Sequence, residues 1–206
     1  MSRISSRDPA TVRLTARLSR SDVLWVANTA HGPGGHWHAR VRGGEPDHDH
    51  LASPEAAVRY LADHGVPIPD DPPDHATLAT LGVVRTMVHR LLVAPGADAW
   101  HDDGRALLAA AAFRLDAGGQ LADARTGWPG FCGDLLLPLL ALVEDGAGLR
   151  TCANPACRLI FEDGSPNHGR KWCDTTGCGN RDRVRRARIR DARAPNAVTA
   201  APASRA

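Results

Sequence analysis

The chain has 206 residues, of which 43% are hydrophobic, 23% charged and only 4% aromatic, and its formal net charge is +2. This length suits one domain with an appended module, and the hydrophobic fraction is large enough for a buried core. Because the sequence has neither a continuous apolar run of about 18 residues nor the apolar centre of a secretory signal, we expect a protein that enters no membrane. The five cysteines are an odd number, and four of them have metal-ligand rather than disulfide spacing, which indicates a reducing cytoplasm.

The net charge conceals an asymmetry between the two parts of the chain. Residues 1–149 carry 13 arginines and 18 acidic residues, a net charge of −5. Residues 150–206 carry 12 basic and 5 acidic residues, a net charge of +7. A basic segment of this kind is typical of proteins that bind polyanions. Lys171 is the only lysine, which indicates a GC-rich genome and makes the preference for arginine a weak argument by itself.

The first part of the chain predicts an extension at 1–19 and an α-rich domain at 20–147. Residues 21–29 are expected to form a short buried strand or the beginning of a helix, and residues 36–43 an edge strand. A helix should begin at Ser53-Pro54-Glu55, because serine is a good N-cap and proline is favoured in the first helical turn. We expect that helix to end at Gly65.

Three further helices are predicted downstream. Residues 76–94 carry leucine and valine at helical spacing, and 98–116 are apolar on most faces. The nearly all-apolar segment 134–145 should be the most buried helix, after a loop in which we interpret Cys132 as a packing residue. The sequence therefore predicts a mainly α fold with a small β element.

A histidine cluster at 31–50 is the other conspicuous feature of this part. A second metal site or a ligand sensor is one interpretation, and a solvated polar loop is the favoured one. The sequence contains no P-loop, dinucleotide fingerprint, GxSxG or HExxH motif, so we expect no enzyme activity.

Four cysteines near the C-terminus form two pairs with equal internal spacing: Cys152, Cys157, Cys173 and Cys178. Each pair can turn both sulfurs towards one point, and four converging thiolates are what one structural zinc ion requires. The alternatives are ordinary thiols, a redox switch that releases zinc, and an iron–sulfur cluster. A closed four-cysteine site has no open position for metal-assisted hydrolysis.

The predicted module, residues 148–194, is a small zinc-knuckle or ribbon-like fold followed by a basic helix. Residues 159–161 should supply a small core that Trp172 covers, and residues 163–169 the tip of a hairpin. Residues 179–193 contain no proline and predict the helix, and the tail at 195–206 is expected to be disordered. The expected nucleic-acid contacts are Asn180, Arg181, Arg183, Arg185, Arg186, Arg188 and Arg190. A solvated arginine-rich tail would explain the same pattern, and so would contact with an acidic protein or with the acidic N-terminal domain.

The residues around the cysteines resemble the CGNR zinc finger. The quoted segments are Cys152-Ala-Asn-Pro-Ala-Cys157, Arg158-Leu-Ile-Phe161, Arg170-Lys171-Trp172-Cys173 and Cys178-Gly179-Asn180-Arg181. The whole chain is similar to bacterial proteins that join this finger to an ABATE domain, on the basis of Leu24–Thr29, Leu51–His64 and the helix near Leu81–Leu92. It departs from them in its acidic, histidine-rich loop at 43–50 and at Glu162-Asp163-Gly164. The resemblance implies DNA binding and stress-related transcription regulation.

Together these observations predict a zinc-dependent DNA-binding protein that acts as a bacterial transcriptional regulator. The alternatives are a zinc-stabilised module that binds a protein partner, or an RNA-binding protein. The sequence does not decide whether the chain is a homodimer, which small molecule its N-terminal domain would sense, or which sites and genes it would recognise.

Overall fold

The structure, a computed structural model, describes residues 15–31, 48–93, 101–145, 148–155 and 157–193. The helices are α1 Arg20–Ala27, α2 Pro54–Asp63, α3 His75–Val93, α4 His101–Ala110, α5 Gly127–Asp134, α6 Leu136–Asp145 and α7 Asn180–Arg193. The strands are β1 Thr15–Ala16, β2 Ala30–His31, β3 His48–Asp49, β4 Phe113–Leu115, β5 Gln120–Asp123, β6 Leu149–Thr151 and β7 Ile160–Glu162. The mainly α architecture with a small zinc module and a basic C-terminal helix is confirmed.

The first two helices begin at well-formed caps. Ser19 and Asp22 form a capping box at the start of α1, where each side chain binds the backbone N–H of the other residue. For residues 21–29 the sequence predicts either a strand or the beginning of a helix, and the structure shows the helix. The hydroxyl of Ser53 accepts a hydrogen bond from the N–H of Ala56, and Pro54 opens α2, as the sequence predicts.

The main core forms where α3 and α6 pack with α1 and α2. The residues of α3 that recur at helical spacing are buried, and so is the middle of α6. By length and mean hydropathy, α3 and the stretch Gly127–Glu144 could span a membrane. Core helices of soluble proteins pass the same test, and both stretches contribute buried residues to this core. The expectation that the chain enters no membrane therefore stays a prediction.

Two predicted boundaries are wrong in the middle of the chain. The helix expected at 98–116 ends at Ala110, and Phe113–Leu115 form β4, which pairs antiparallel with β5 across the turn at Gly118-Gly119. The segment expected to be a loop before 134 forms α5 instead. Helical periodicity misses both features, because the glycine pair permits a hairpin and the glycines of α5 allow close packing.

The remaining strands are short. β1 pairs parallel with β5, which gives a three-stranded sheet in the order β1-β5-β4. β2 pairs antiparallel with β3, and the Arg85 side chain from α3 holds Asp49 of β3 at 2.6 Å. Most of the histidine-rich stretch, including the edge strand expected at 36–43, lies outside the described residues.

Two buried carboxyl groups tie α5 to the three-stranded sheet. Asp123 at the end of β5 binds Arg125 through both oxygens, at 2.9 and 2.7 Å, and Asp134 at the end of α5 accepts the N–H of Asp123 at 2.6 Å. The Arg125 guanidinium lowers the pKa of Asp123, whereas burial raises the pKa of Asp134. Gly133 permits this approach, since a Cβ at that position would lie 2.0 Å from Oδ2 of Asp123.

We therefore predict that Gly133→Ala lowers the free energy of unfolding by about 3 kcal/mol or more, because the new methyl must displace a buried, paired carboxylate. Gly82→Ala in α3 is the matched control, since a Cβ there meets nothing within 4 Å. That change should raise the free energy of unfolding by about 0.5–1 kcal/mol. Urea denaturation of both variants measures the difference, and equal stabilities would contradict the packing described here.

Candidate metal centre and nucleic-acid interface

The first cysteine pair lies in the turn of a β-hairpin. β6 and β7 pair antiparallel, and Cys152 directly follows β6. The N–H of Cys152 donates to the carbonyl of Leu159 at 2.8 Å, and Asn154 accepts the N–H of Cys157 at 2.8 Å. Arg158 then adopts a left-handed conformation with φ of 55°. The hairpin therefore encloses the first cysteine pair, and the predicted hairpin tip at 163–169 is wrong.

The second pair is held by a loop and a tight helical turn. The carboxylate of Asp163 accepts the N–H groups of Ser165 and Arg170, at 3.0 and 2.9 Å, and so shapes the loop that leads to Cys173. The π-helical turn Thr175–Gly179 contains Cys178, and Asp174 caps it by accepting the N–H of Thr176 at 2.8 Å. The exposed Arg170 side chain donates hydrogen bonds to the carbonyls of Trp172 and Cys173 and so stabilises the backbone next to Cys173.

The four cysteine sulfurs converge on one point. All four lie within 4.8 Å of one another, with 3.6 Å from Cys157 to Cys173 and 3.8 Å from Cys173 to Cys178. A tetrahedron with zinc–sulfur bonds of about 2.3 Å places its sulfurs about 3.8 Å apart. Three of the cysteines are buried and Cys173 is half-buried. The cluster fits one structural zinc ion, as the sequence predicts.

Without a cation, the neighbouring cysteine thiols would shift one another's pKa values. A hydrogen bond from the Cys173 thiol lowers the pKa of Cys157 to about 5, and the same contact raises the pKa of Cys173. Burial raises the pKa of Cys178 to about 11. Four adjacent thiolates therefore need a divalent ion to offset their mutual repulsion, which zinc supplies. Cys132 is remote in sequence and buried in the main core, as predicted for a packing residue.

The apolar residues between the two cysteine pairs contribute to two separate hydrophobic cores. Leu159 and Phe161 pack with the cysteines, and Trp172 covers them. A Cβ at position 179 would lie 3.2 Å from the Trp172 ring, so Gly179 allows a close approach of the two residues. Ile160 points the other way and joins the main core, which differs from the single small core predicted for residues 159–161. The zinc module and the N-terminal domain therefore share a hydrophobic boundary.

A buried asparagine joins the zinc module to α1. Nδ2 of Asn28 donates to the carbonyl of Ile160 at 2.9 Å, and Oδ1 of Asn28 accepts the N–H of Ile160 at 2.8 Å. Asn28 thus pairs with β7 as a neighbouring strand would. Nearby, Arg20 forms an ion pair with Glu162 at 2.6 Å, and Trp25 packs against both cores. These contacts fix the orientation of the module against α1.

The predicted basic helix exists and starts directly at the metal site. α7 begins at Asn180, two residues after Cys178, and carries seven arginines and two aspartates. Asp182 holds Arg185 at 2.9 Å and Arg186 at 2.5 Å. Among the described residues, no ion pair engages Arg183, Arg188 or Arg190.

One side of α7 forms a shallow groove, here called the α7 groove. It is lined by Asn180, Arg181, Val184, Arg185, Arg188, Ile189 and Ala192. Arg181, Arg185 and Arg188 share this side, as the helical spacing predicts. Val184 and Ile189 also line this groove, and they are 42% and 40% exposed.

Family models match both parts of the chain. One described as "CGNR zinc finger" matches residues 149–191, and one described as "Putative stress-induced transcription regulator", the ABATE domain, matches residues 23–149. The chain belongs to the ABATE family. A search of curated proteins gave no match. The two matched segments of this ABATE protein meet at Leu149, the first residue of β6.

The structure brings the four predicted ligands together and places the predicted nucleic-acid contacts on one helix. It adds three residues that the sequence analysis does not assign to the site: Asn28, which docks the module, and Asp163 and Arg170, which shape its loop. Asn28 carries a weak signal, a polar residue directly after an apolar segment. Its partner lies 132 positions away, so the sequence alone does not reveal the pairing.

We predict that Asn28→Asp loosens the zinc module from the domain without removing the metal. The carboxylate would keep the acceptor for the N–H of Ile160 but lose the donor, and it would face the carbonyls of Leu24 and Ile160. Because the site is buried, we expect the free energy of unfolding to fall by about 3 kcal/mol. Thermal unfolding measures this change, and zinc content should stay at one ion per chain.

Asn167→Asp on the exposed loop of the module is the control, since it adds the same charge in solvent. Its effect should stay within about 0.5 kcal/mol. If the two variants are equally stable, Asn28 is not the docking residue.

Proposed function

We propose that this ABATE protein binds double-stranded DNA through α7 and acts as a transcriptional regulator. The observation that supports this most strongly is the direct connection between the metal site and the basic helix, since Asn180 follows Cys178 by two residues. Zinc then acts as a structural ion that fixes the direction in which α7 leaves the module. The four-cysteine set favours this non-catalytic role, because such a site keeps no open coordination position.

The charge and length of α7 suit a phosphate-lined groove. The helix has 14 residues, or about 21 Å at the usual rise, and a net charge of +5 from its seven arginines and two aspartates. The major groove of DNA admits an α-helix, and arginine binds both phosphates and guanine. A helix charged on several sides gains stability when phosphates neutralise it.

The side chains that line the α7 groove are of the types that contact base edges in DNA. Asn180 and Arg181 are the first two residues of α7 and directly follow the π-helical turn that contains Cys178. Val184 and Ile189 supply the exposed apolar surface that a thymine methyl group contacts. Arg183, Arg186 and Arg190 lie on the other side and would supply phosphate contacts. Sequence preference would therefore come from the groove side of the helix.

The aromatic residues of the module favour duplex DNA over RNA. Sequence-specific RNA recognition relies on exposed aromatic side chains that stack on unpaired bases. Phe161 is buried and Trp172 packs against Gly179. Neither ring is presented as a stacking platform.

A second candidate function is binding of a protein partner through the same groove, which Val184 and Ile189 favour by their exposure. The two functions differ in their dependence on salt. Contact through an apolar surface changes little with ionic strength, whereas phosphate contacts release counterions and weaken steeply.

We predict a log–log salt slope of about −3.5 to −5.5 for duplex binding, which corresponds to four to six phosphate contacts. Replacing Arg183 and Arg190 by alanine should reduce the magnitude of the slope by about 1.8 and leave sequence preference intact. Replacing Arg181 and Arg188 should also relax sequence preference, because these residues line the α7 groove. Fluorescence anisotropy across a salt series, followed by site selection, measures both effects.

The control is the pair Arg59→Ala and Arg105→Ala, which removes two exposed arginines from the N-terminal domain. Its slope and preference should match those of the unchanged protein. If Arg181→Ala/Arg188→Ala retains full affinity and preference, the proposed role of the α7 groove is wrong.

A further inference from the structure

The N-terminal domain contains a cleft that the proposed DNA-binding surface does not use. It has a volume of about 310 Å³ and opens between the three-stranded sheet and α5. This volume lies at the lower end of the range for small-molecule sites, about 300–1,000 Å³. The cleft is therefore large enough for a ligand of amino-acid size.

One oxygen of the Asp134 carboxylate, a largely buried side chain that lines this cleft, accepts no hydrogen bond among the described residues. The Asp134 side chain is 4% exposed, and its Oδ1 accepts the N–H of Asp123 at 2.6 Å. Within the described part of the chain, the only charged partner of Oδ2 is Arg17, at 3.8 Å, which is too long for a hydrogen bond. A buried carboxylate with a spare acceptor favours a ligand that donates hydrogen bonds, above all an ammonium group.

Two arginines lie on the sheet side of the same cleft. Arg114 of β4 pairs directly across from Ala122 of β5. Arg17 directly follows Ala16, which pairs with Leu121, so the parallel register places Arg17 at the other side of Ala122. All three residues line the cleft, and Ala122, which lies between the two arginines in the sheet register, contributes only a methyl group.

These arginines are available to an anion. Asp123 already engages Arg125 through two hydrogen bonds, so that pair is satisfied internally. Arg114 has no ionic partner among the described residues, and the Arg17 side chain is 67% exposed. A carboxylate between Arg17 and Arg114 would be bound by charge-assisted hydrogen bonds.

The cleft also has an apolar part, formed by Leu18, Ile68 and Phe131, while its other polar lining residues are Asp116, Asp123, Arg125 and Thr126. We propose that this cleft binds a free α-amino acid with an apolar side chain. The ammonium group would meet Oδ2 of Asp134, the carboxylate would lie between Arg17 and Arg114, and the side chain would contact the apolar wall. A free amino acid carries one positive and one negative charge. It fits this cleft because Asp134 presents a buried negative charge and Arg17 and Arg114 present exposed positive charges.

Isothermal titration calorimetry of the full zinc-loaded chain tests the proposal with L-leucine, L-valine and L-phenylalanine as probes. At least one should bind with a Kd below about 1 mM. For leucine, 4-methylpentanoate lacks only the ammonium group and 3-methylbutylamine lacks only the carboxylate. Each analogue should bind at least about tenfold more weakly, since each loses one charge-assisted contact.

Variants identify the residues involved. Asp134→Asn keeps the oxygen that accepts the N–H of Asp123 but replaces the free oxygen with a donor, and it should weaken binding at least about tenfold. Arg114→Met changes an exposed strand position, so its effect is measurable even if Asp134→Asn fails to fold. Arg59→Met on α2 is the matched control and should leave the Kd unchanged.

Three results would overturn the proposal: no binding of any of the three probes at about 10 mM, an analogue that binds as tightly as its amino acid, or an unchanged Kd in the folded Arg114→Met protein. None of these measurements involves DNA. The cleft and the α7 groove are therefore tested independently.

Discussion

The convergence of four sulfurs on one ion is the constraint on which the C-terminal part of this protein depends. Among its described residues, the segment from β6 to Gly179 contributes Leu159, Phe161 and the half-buried Trp172 to the small core around the cysteines. Such a core is too small to offset the entropy of ordering about 30 residues. Structural zinc contributes about 10–16 kcal/mol in small fingers, which is enough to order a segment of this size. The knuckle, the π-helical turn and the start of α7 all follow from holding the two cysteine pairs together.

The metal orders the module, but it does not set the orientation of the module against α1. That orientation depends on Asn28. A single side chain that both donates to and accepts from the peptide groups of Ile160 extends the β6–β7 hairpin onto α1. Ile160 then enters the main core, whereas Leu159 and Phe161 remain in the module. Because α1 also packs against α3 and α6, this contact joins the β6–β7 hairpin to the helices of the main core. The α7 groove begins at Asn180, two residues after the last cysteine of the module.

The sequence predicts most of what is local in this fold. Ser53-Pro54 gives the start of α2, the leucine and valine spacing gives α3, and the cysteine spacing gives the metal site. What it misses has two causes. Glycines permit the hairpin of β4 and β5 and the close approach of α5 to Asp123, and helical periodicity does not reveal either, whereas the docking residue Asn28 binds a strand 132 positions away. The exposed apolar residues of α7 are a further case, since Val184 and Ile189 both line the α7 groove.

The most direct test of the central claim is fluorescence anisotropy of the zinc-loaded protein on random-sequence duplex DNA, repeated after the zinc is removed with a chelator. The account predicts tight binding at low salt that is lost with the metal and restored when zinc is returned, because the ion holds the module from which α7 extends. Binding that persists unchanged without zinc would show that the arginines act as an unstructured tail. No binding at low salt, with zinc bound stoichiometrically, would contradict the nucleic-acid function itself.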